Sequence, residues 1–164
     1  MNINYKKATI NDLDFLTETR IKVLKIANNL DDTVNMSIVK KETYEYYKKA
    51  LLNDMHTAFL IFDNKKFVGT AGISYFNVMP TYCNPIGKKA YIMNMYTEID
   101  YRRRGIANKA LNLLISDAKN RGVFYISLEA TDMGRKLYEK FGFVDLENEM
   151  ILPFWSKGYH LAFK

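Results

Sequence analysis

Between an apolar run at residues 90–97 and a helical pattern opening near residue 105, the chain reads Tyr101-Arg102-Arg103-Arg104-Gly105-Ile106-Ala107. A strand that breaks at a Gly-containing turn and passes at once into a helix leaves the first backbone N–H groups of that helix unpaired. Those donors and the positive end of the helix dipole make a site for phosphate oxygens. Arg102, Arg103 and Arg104 add positive charge at the same end, and the small residues Gly105 and Ala107 let a diphosphate reach the backbone. The chemistry expected here is the cradling of a pyrophosphate. Taken alone, Arg-x-x-Gly-x-Ala also fits an ordinary strand-to-helix turn, so its meaning depends on the elements around it.

Those elements follow from periodicity. Residues 3–7 read as a strand. Thr9 then looks like an N-cap with Asp12 three residues on, and Leu13, Leu16, Arg20, Val23, Leu24 and Ala27 predict an amphipathic helix over 11–28. A second helix is expected over 37–52, with Tyr44, Tyr47 and Leu51 on one face. Residues 57–62 and 66–76 flank Asp63-Asn64-Lys65 and predict an antiparallel hairpin. After a loop at 77–88 comes the strand at 90–97, whose continuous apolar character places it inside a sheet. Ile106, Ala107, Ala110, Leu111, Leu114 and Ala118 form the clearest helical stripe, ended by Lys119, Arg121 and Gly122. A strand at 123–128 and a helix at 133–141 closed by Gly142 follow, with late strands expected at 143–144 and 149–152. Residues 153–164 read as an aromatic tail that docks. The order predicts an α/β fold: one mixed, mostly antiparallel sheet flanked by helices, in a single domain over 1–164.

Composition narrows the function. The 164 residues suffice for one core that buries roughly 70% of the unfolded surface. The net charge of +6 comes from scattered Lys residues, not from a clustered basic face with stacking aromatics, so nucleic acid is not an expected partner. No run approaches a membrane span and the first residues lack an apolar signal core, which gives a cytoplasmic protein as the expectation. One cysteine, Cys83, and two histidines, His56 and His160, which read as structural, make a metal site unexpected.

About thirty residues beyond the arginine loop stands Leu137-Tyr138-Glu139-Lys140-Phe141-Gly142-Phe143. With both segments in this order, the chain resembles the GNAT superfamily of N-acetyltransferases from Ile3 to about Leu152. The resemblance implies a family fold that binds acetyl-CoA as cosubstrate and passes its acetyl group to an amine. Arg102, Arg103, Arg104, Gly105, Ile106 and Ala107 match the loop whose amides grip the pyrophosphate, with Asn108 and Lys109 in the adjacent turn. Met95, Tyr96 and Thr97 match the strand end that splays from its neighbour, where freed backbone groups pair with pantetheine and polarise the thioester carbonyl. Tyr138 matches the tyrosine that protonates the departing thiolate. On residue grounds alone it reads first as a packed aromatic of an amphipathic helix, although a tyrosine protonated at neutral pH can serve as a donor.

Two positions depart from the family pattern. Thr131 stands where an Asn is common, and can still hydrogen-bond the cofactor through its hydroxyl. Gly134 stands where an Ala is common, and weakens its helix by about 1 kcal/mol. Glu98, Asp100 and Glu129 lie near strand ends as candidate bases, although each also reads as a solvated carboxylate, and ordered water is the alternative proton route. The acceptor is unidentified. Residues 24–47 and 76–85 are expected to shape its pocket, with Asp31, Asp32, Glu42 and Glu45 to draw a cation and Tyr44, Tyr47, Tyr75 and Tyr82 as walls. A homodimer is compatible with the chain. The rival reading is a non-catalytic CoA-binding regulatory module of the same fold. A dinucleotide fold lacks its Gly-x-Gly-x-x-Gly signature.

Overall fold

Five strands form one sheet in the computed structural model, in the spatial order β1-β2-β3-β4-β5. They are β1 (Ile3–Lys7), β2 (His56–Asp63), β3 (Lys66–Asn77), β4 (Lys88–Thr97) and β5 (Tyr125–Leu128). The first three pairings are antiparallel and β4 pairs β5 in parallel. Helices α1 (Leu13–Ala27) and α2 (Ser37–Leu52) lie between β1 and β2 in sequence, α3 (Ile106–Asn120) joins β4 to β5, and α4 (Asp132–Lys140) follows. The structure describes residues 1–147, 149 and 150. They fall into two units, Met1–Glu129 and a second beginning at Ala130.

Period-two alternation along β2 explains why helices cover both faces of the first unit. Ala58 and Leu60 point to one face, where they pack with Leu13 and Leu16 of α1 and Tyr47 of α2. Thr57, one step out of phase, donates 2.8 Å to Asp117 of α3 on the other face. The α3 stripe of Ile106, Ala110, Leu111, Leu114 and Ala118 is buried as its spacing required. A 3-10 turn, Ile10–Asp12, precedes α1, and the Asp12 carboxylate accepts from the Thr9 N–H at 3.0 Å. Asn64 takes a φ of 53° in the tight turn between β2 and β3.

Asp117 ties α3 to the sheet. Its carboxylate accepts from Lys7 Nζ, Thr57 Oγ1, Tyr75 Oη and Arg121 Nε, at 2.7–2.8 Å. Burial pushes its carboxyl up, but these donors, led by Lys7, prevail and hold it well below the usual carboxylate range. A depressed folded-state value means the stabilisation is present above the unfolded-state value of about 4 and is lost as pH falls towards the folded one. Asp117→Asn is therefore expected to cost about 2 kcal/mol at neutral pH and to flatten the acid limb of stability. Urea unfolding of both proteins at neutral and acid pH measures this; an unchanged acid limb would remove Asp117 as its source.

The late strand expected at 143–144 is absent. The Phe143 amide donates to the Tyr138 carbonyl at 3.2 Å, closing the end of α4 instead of entering a ladder, and Val144 is exposed. The other late strand, 149–152, runs beyond the described residues, and the tail at 153–164 with His160 lies outside them.

Candidate functional site

α3 starts at Ile106 behind Gly105, whose φ of 77° lies in the left-handed region that glycine tolerates without strain. A Cβ placed on Gly105 would meet no atom within 4 Å, so the surface over this turn is open. The Lys109 amide donates to the Gly105 carbonyl at 3.0 Å and is the first of the helix to do so. Among the described residues, the amides of Gly105, Ile106, Ala107 and Asn108 have no acceptor. Four such donors at the positive end of a fifteen-residue helix can hold an anion.

The three arginines differ in placement. Arg102 directs Nε to the Thr97 carbonyl at 3.1 Å and so ties the loop to the end of β4. Arg103, at a φ of 59°, and Arg104 are exposed, with the Arg104 guanidinium 5.6 Å from the Tyr101 ring centre. A 3-10 turn, Ile99–Tyr101, lifts the chain from the strand to the loop.

β4 provides the second part of the site. It pairs with β5 only from Lys89 opposite Tyr125 to Ile92 opposite Leu128, so residues 93–97 run on with no β5 partner. Their other edge stays on β3, where Met93 faces Gly72 and Tyr96 faces Thr70. Three steps on β4 thus oppose two on β3, which is a β-bulge, and Asn94 within it has a φ of 57°. The bulge turns the Asn94 side chain towards α1, where Oδ1 lies 3.4 Å from Arg20 Nη1. Gly69 is required opposite, because a Cβ there would stand 2.6 Å from the Tyr96 carbonyl oxygen. Sequence reasoning placed Met95, Tyr96 and Thr97 at this strand end but missed Asn94. A lone amide inside an apolar run was the signal that could have found it.

The candidate bases are placed unevenly. Burial pushes the Glu98 carboxyl up, but hydrogen bonds from Lys22 and from the Tyr96 hydroxyl (2.9 Å) outweigh it and hold the group below its ordinary value. A carboxylate so engaged is a poor proton acceptor. Asp100 and Glu129 are exposed. Of the expected acceptor tyrosines, Tyr47 and Tyr75 are buried, Tyr75 donating to Asp117 at 2.7 Å, and Tyr82 is fully exposed. The acidic set Asp31, Asp32, Glu42 and Glu45 is exposed, with Asp32 paired to Lys25 at 3.0 Å.

His56, read as structural, forms a polar cluster that its sequence position does not announce. Its Nδ1 lies 3.1 Å from both the Tyr46 hydroxyl and Ser74 Oγ, and among the described residues its buried Nε2 has no partner. Gly72 makes room for that ring, since a Cβ there would meet Nε2 at 2.9 Å. Burial first, then the nearby Arg20 charge, lowers the imidazole to about 4, so it is neutral at physiological pH.

The second unit carries Thr131 and Tyr138. Thr131 caps α4, accepting from the Gly134 amide at 3.3 Å, which leaves its hydroxyl hydrogen free to donate elsewhere. Tyr138 is buried, with its ring 6.0 Å from Phe143 in an edge-on arrangement. Gly134 has a reason in this packing: a Cβ there would lie 2.9 Å from Tyr138 Cε2. Burial raises the Tyr138 hydroxyl above its ordinary value, so it stays protonated at neutral pH. No group of His, Cys, Asp or Glu among the described residues could hold a metal ion, and no helix there is long and apolar enough to cross a membrane.

Comparison with known proteins agrees with this geometry. Residues 25–143 match the model of the acetyltransferase (GNAT) family. A structure of a predicted acetyltransferase with acetyl-CoA from Clostridium acetobutylicum is 34% identical, with a TM-score of 0.84 over 92% of this chain and 96% of that one. A GCN5-related N-acetyltransferase from Ralstonia eutropha JMP134 shares the fold at 21% identity, with a TM-score of 0.80 over 93% and 99% of the two chains. The uncharacterized N-acetyltransferase YsnE of Bacillus subtilis (strain 168) is 40% identical over 57 residues, a match spanning 32% of this chain and 38% of that protein. The chain belongs to the acetyltransferase (GNAT) family.

Proposed function

We propose that the chain is an acetyl-CoA-dependent N-acetyltransferase, acting as one domain over 1–164, in which a primary amine attacks the thioester directly in a ternary complex. The observation that carries this reading is the run of amides from Gly105 to Asn108, unpartnered among the described residues, at an open left-handed glycine and beyond a strand end without its β5 partner. Acetyl-CoA supplies the activated acetyl group. The Gly105, Ile106, Ala107 and Asn108 amides hold its diphosphate, with Arg103 and Arg104 adding charge and Arg102 fixing the loop to Thr97. Main-chain groups of Met95, Tyr96 and Thr97 pair with the pantetheine arm. A β4 amide near the bulge meets the negative charge that develops on the thioester oxygen, an arrangement that contributes a few kcal/mol to such reactions. Tyr138 gives its proton to the departing thiolate, and Thr131 donates to the cofactor. With Glu98 held by Lys22 and Tyr96, ordered water takes the proton of the amine.

Incubation with acetyl-CoA and a panel of primary amines, read by free thiol and by the mass of the product, tests the reading. Thiol release that depends on an amine and gives an N-acetyl product is expected. Tight CoA binding with no transfer to any amine would instead establish a non-catalytic CoA-binding module.

A further inference from the structure

Arg20 stands on the inward stripe of α1, where its neighbours in the pattern, Leu16 and Val23, are buried. A half-buried guanidinium in such a place ordinarily meets a carboxylate. Here none does among the described residues. Asp12 is paired with Lys6, Glu18 with Lys40 and Glu98 with Lys22. Arg20 Nη1 donates a long hydrogen bond to Asn94 Oδ1. The remaining groups that feel its charge, His56, Tyr46 and Tyr47, are neutral at physiological pH; Tyr47 is pushed up to about 12 by burial. Among the described residues the cation therefore sits beside the β4 bulge with unused donors and no counter-charge, on the same face of the sheet as His56, whose buried Nε2 has no partner there either.

We propose that Arg20 receives an anionic group of the acceptor, so that the substrate class is small amines that also carry a carboxylate or phosphate, not polyamines or other polycations. The inference rests on the reading of this site as an acetyl-transfer site. An amine delivered to residues 93–97 brings its nearest substituents towards Asn94, and Arg20 places its guanidinium against Asn94. A guanidinium has five N–H donors in a planar fork that fits two anionic oxygens at once. The acidic residues that could have drawn a polycation, Asp31, Asp32, Glu42 and Glu45, are exposed, and Asp32 is paired with Lys25.

The test compares acceptors in the wild-type protein first. Free α-amino acids, the same amino acids as C-terminal amides, O-phosphoethanolamine and spermidine are each assayed with acetyl-CoA. An anionic amine is expected to exceed its uncharged counterpart in kcat/KM by about tenfold or more, and the phosphate arm decides between the two anions. Arg20→Gln should erase that preference through KM for the acceptor, leave KM for acetyl-CoA unchanged and, by matching thermal unfolding, prove folded; Arg20→Lys should restore part of it. Equal or better use of the amides or of spermidine, or a preference that survives in Arg20→Gln, would overturn the proposal. If no amine is acetylated, the acetyl-transfer reading fails by itself. Arg20 is then judged by NMR of its side-chain N–H during titration with N-acetylglycine and with the amide of N-acetylglycine. A shift with the acid alone supports an anion receptor, and no shift at about 10 mM refutes it.

Discussion

Gly105→Glu is expected to weaken acetyl-CoA binding by about a hundredfold or more while the protein still folds. Two effects add. The residue has a φ of 77°, a conformation that costs a non-glycine residue about 1–2 kcal/mol. That cost falls on the local turn, because a Cβ there meets no atom within 4 Å and disturbs no packing. The larger effect is electrostatic. A carboxylate beside the amides of Ile106, Ala107 and Asn108 occupies the donors proposed to hold the diphosphate and repels what it does not displace. Losing one or two charge-assisted hydrogen bonds accounts for about 3 kcal/mol, or a hundredfold. Calorimetry with acetyl-CoA, beside thermal unfolding, separates the two effects. Gly105→Ala, which carries the strain without the charge, should lose far less affinity. Unaltered affinity in a folded Gly105→Glu protein would place the diphosphate elsewhere.

Tyr138→Phe is expected to lower kcat by about a hundredfold with little change in the affinity for acetyl-CoA. The hydroxyl is removed while the ring, packed on Phe143 and against Gly134, keeps its place. The pH profile distinguishes an acid from a packing residue. An acid works while protonated, and burial raises this hydroxyl above the ordinary tyrosine value. Wild-type turnover should thus persist at mildly alkaline pH and fall as pH rises through that raised value, whereas the Phe protein should lack this limb. Equal turnover of the two proteins across the pH range would leave Tyr138 with packing alone.

Much of the fold was legible from local pattern. α2 was expected at its observed bounds, and α3 declared itself because its apolar positions recur at helical spacing and Gly122 ends it at a φ of 68°. The arginine loop was equally plain, because a glycine between a strand and a helix is a local signal. Local pattern erred where a short segment had two uses for its amide. Phe143 looked like a strand residue, yet its N–H closes α4. Gly134 looked like a weak helix position until the ring of Tyr138 was seen to need its space.

By itself, then, the amino-acid order determined the helices, the strands of the sheet and the glycine turn ahead of α3, since each depends on residues a few positions apart. Only the tertiary structure decided the bulge at Asn94, the end of β5 pairing at Ile92, the capture of Glu98 by Lys22 and the approach of Arg20 to Asn94. Strand register and side-chain pairing across dozens of residues are settled by how faces pack, and a one-residue slip in register reverses which side chains meet.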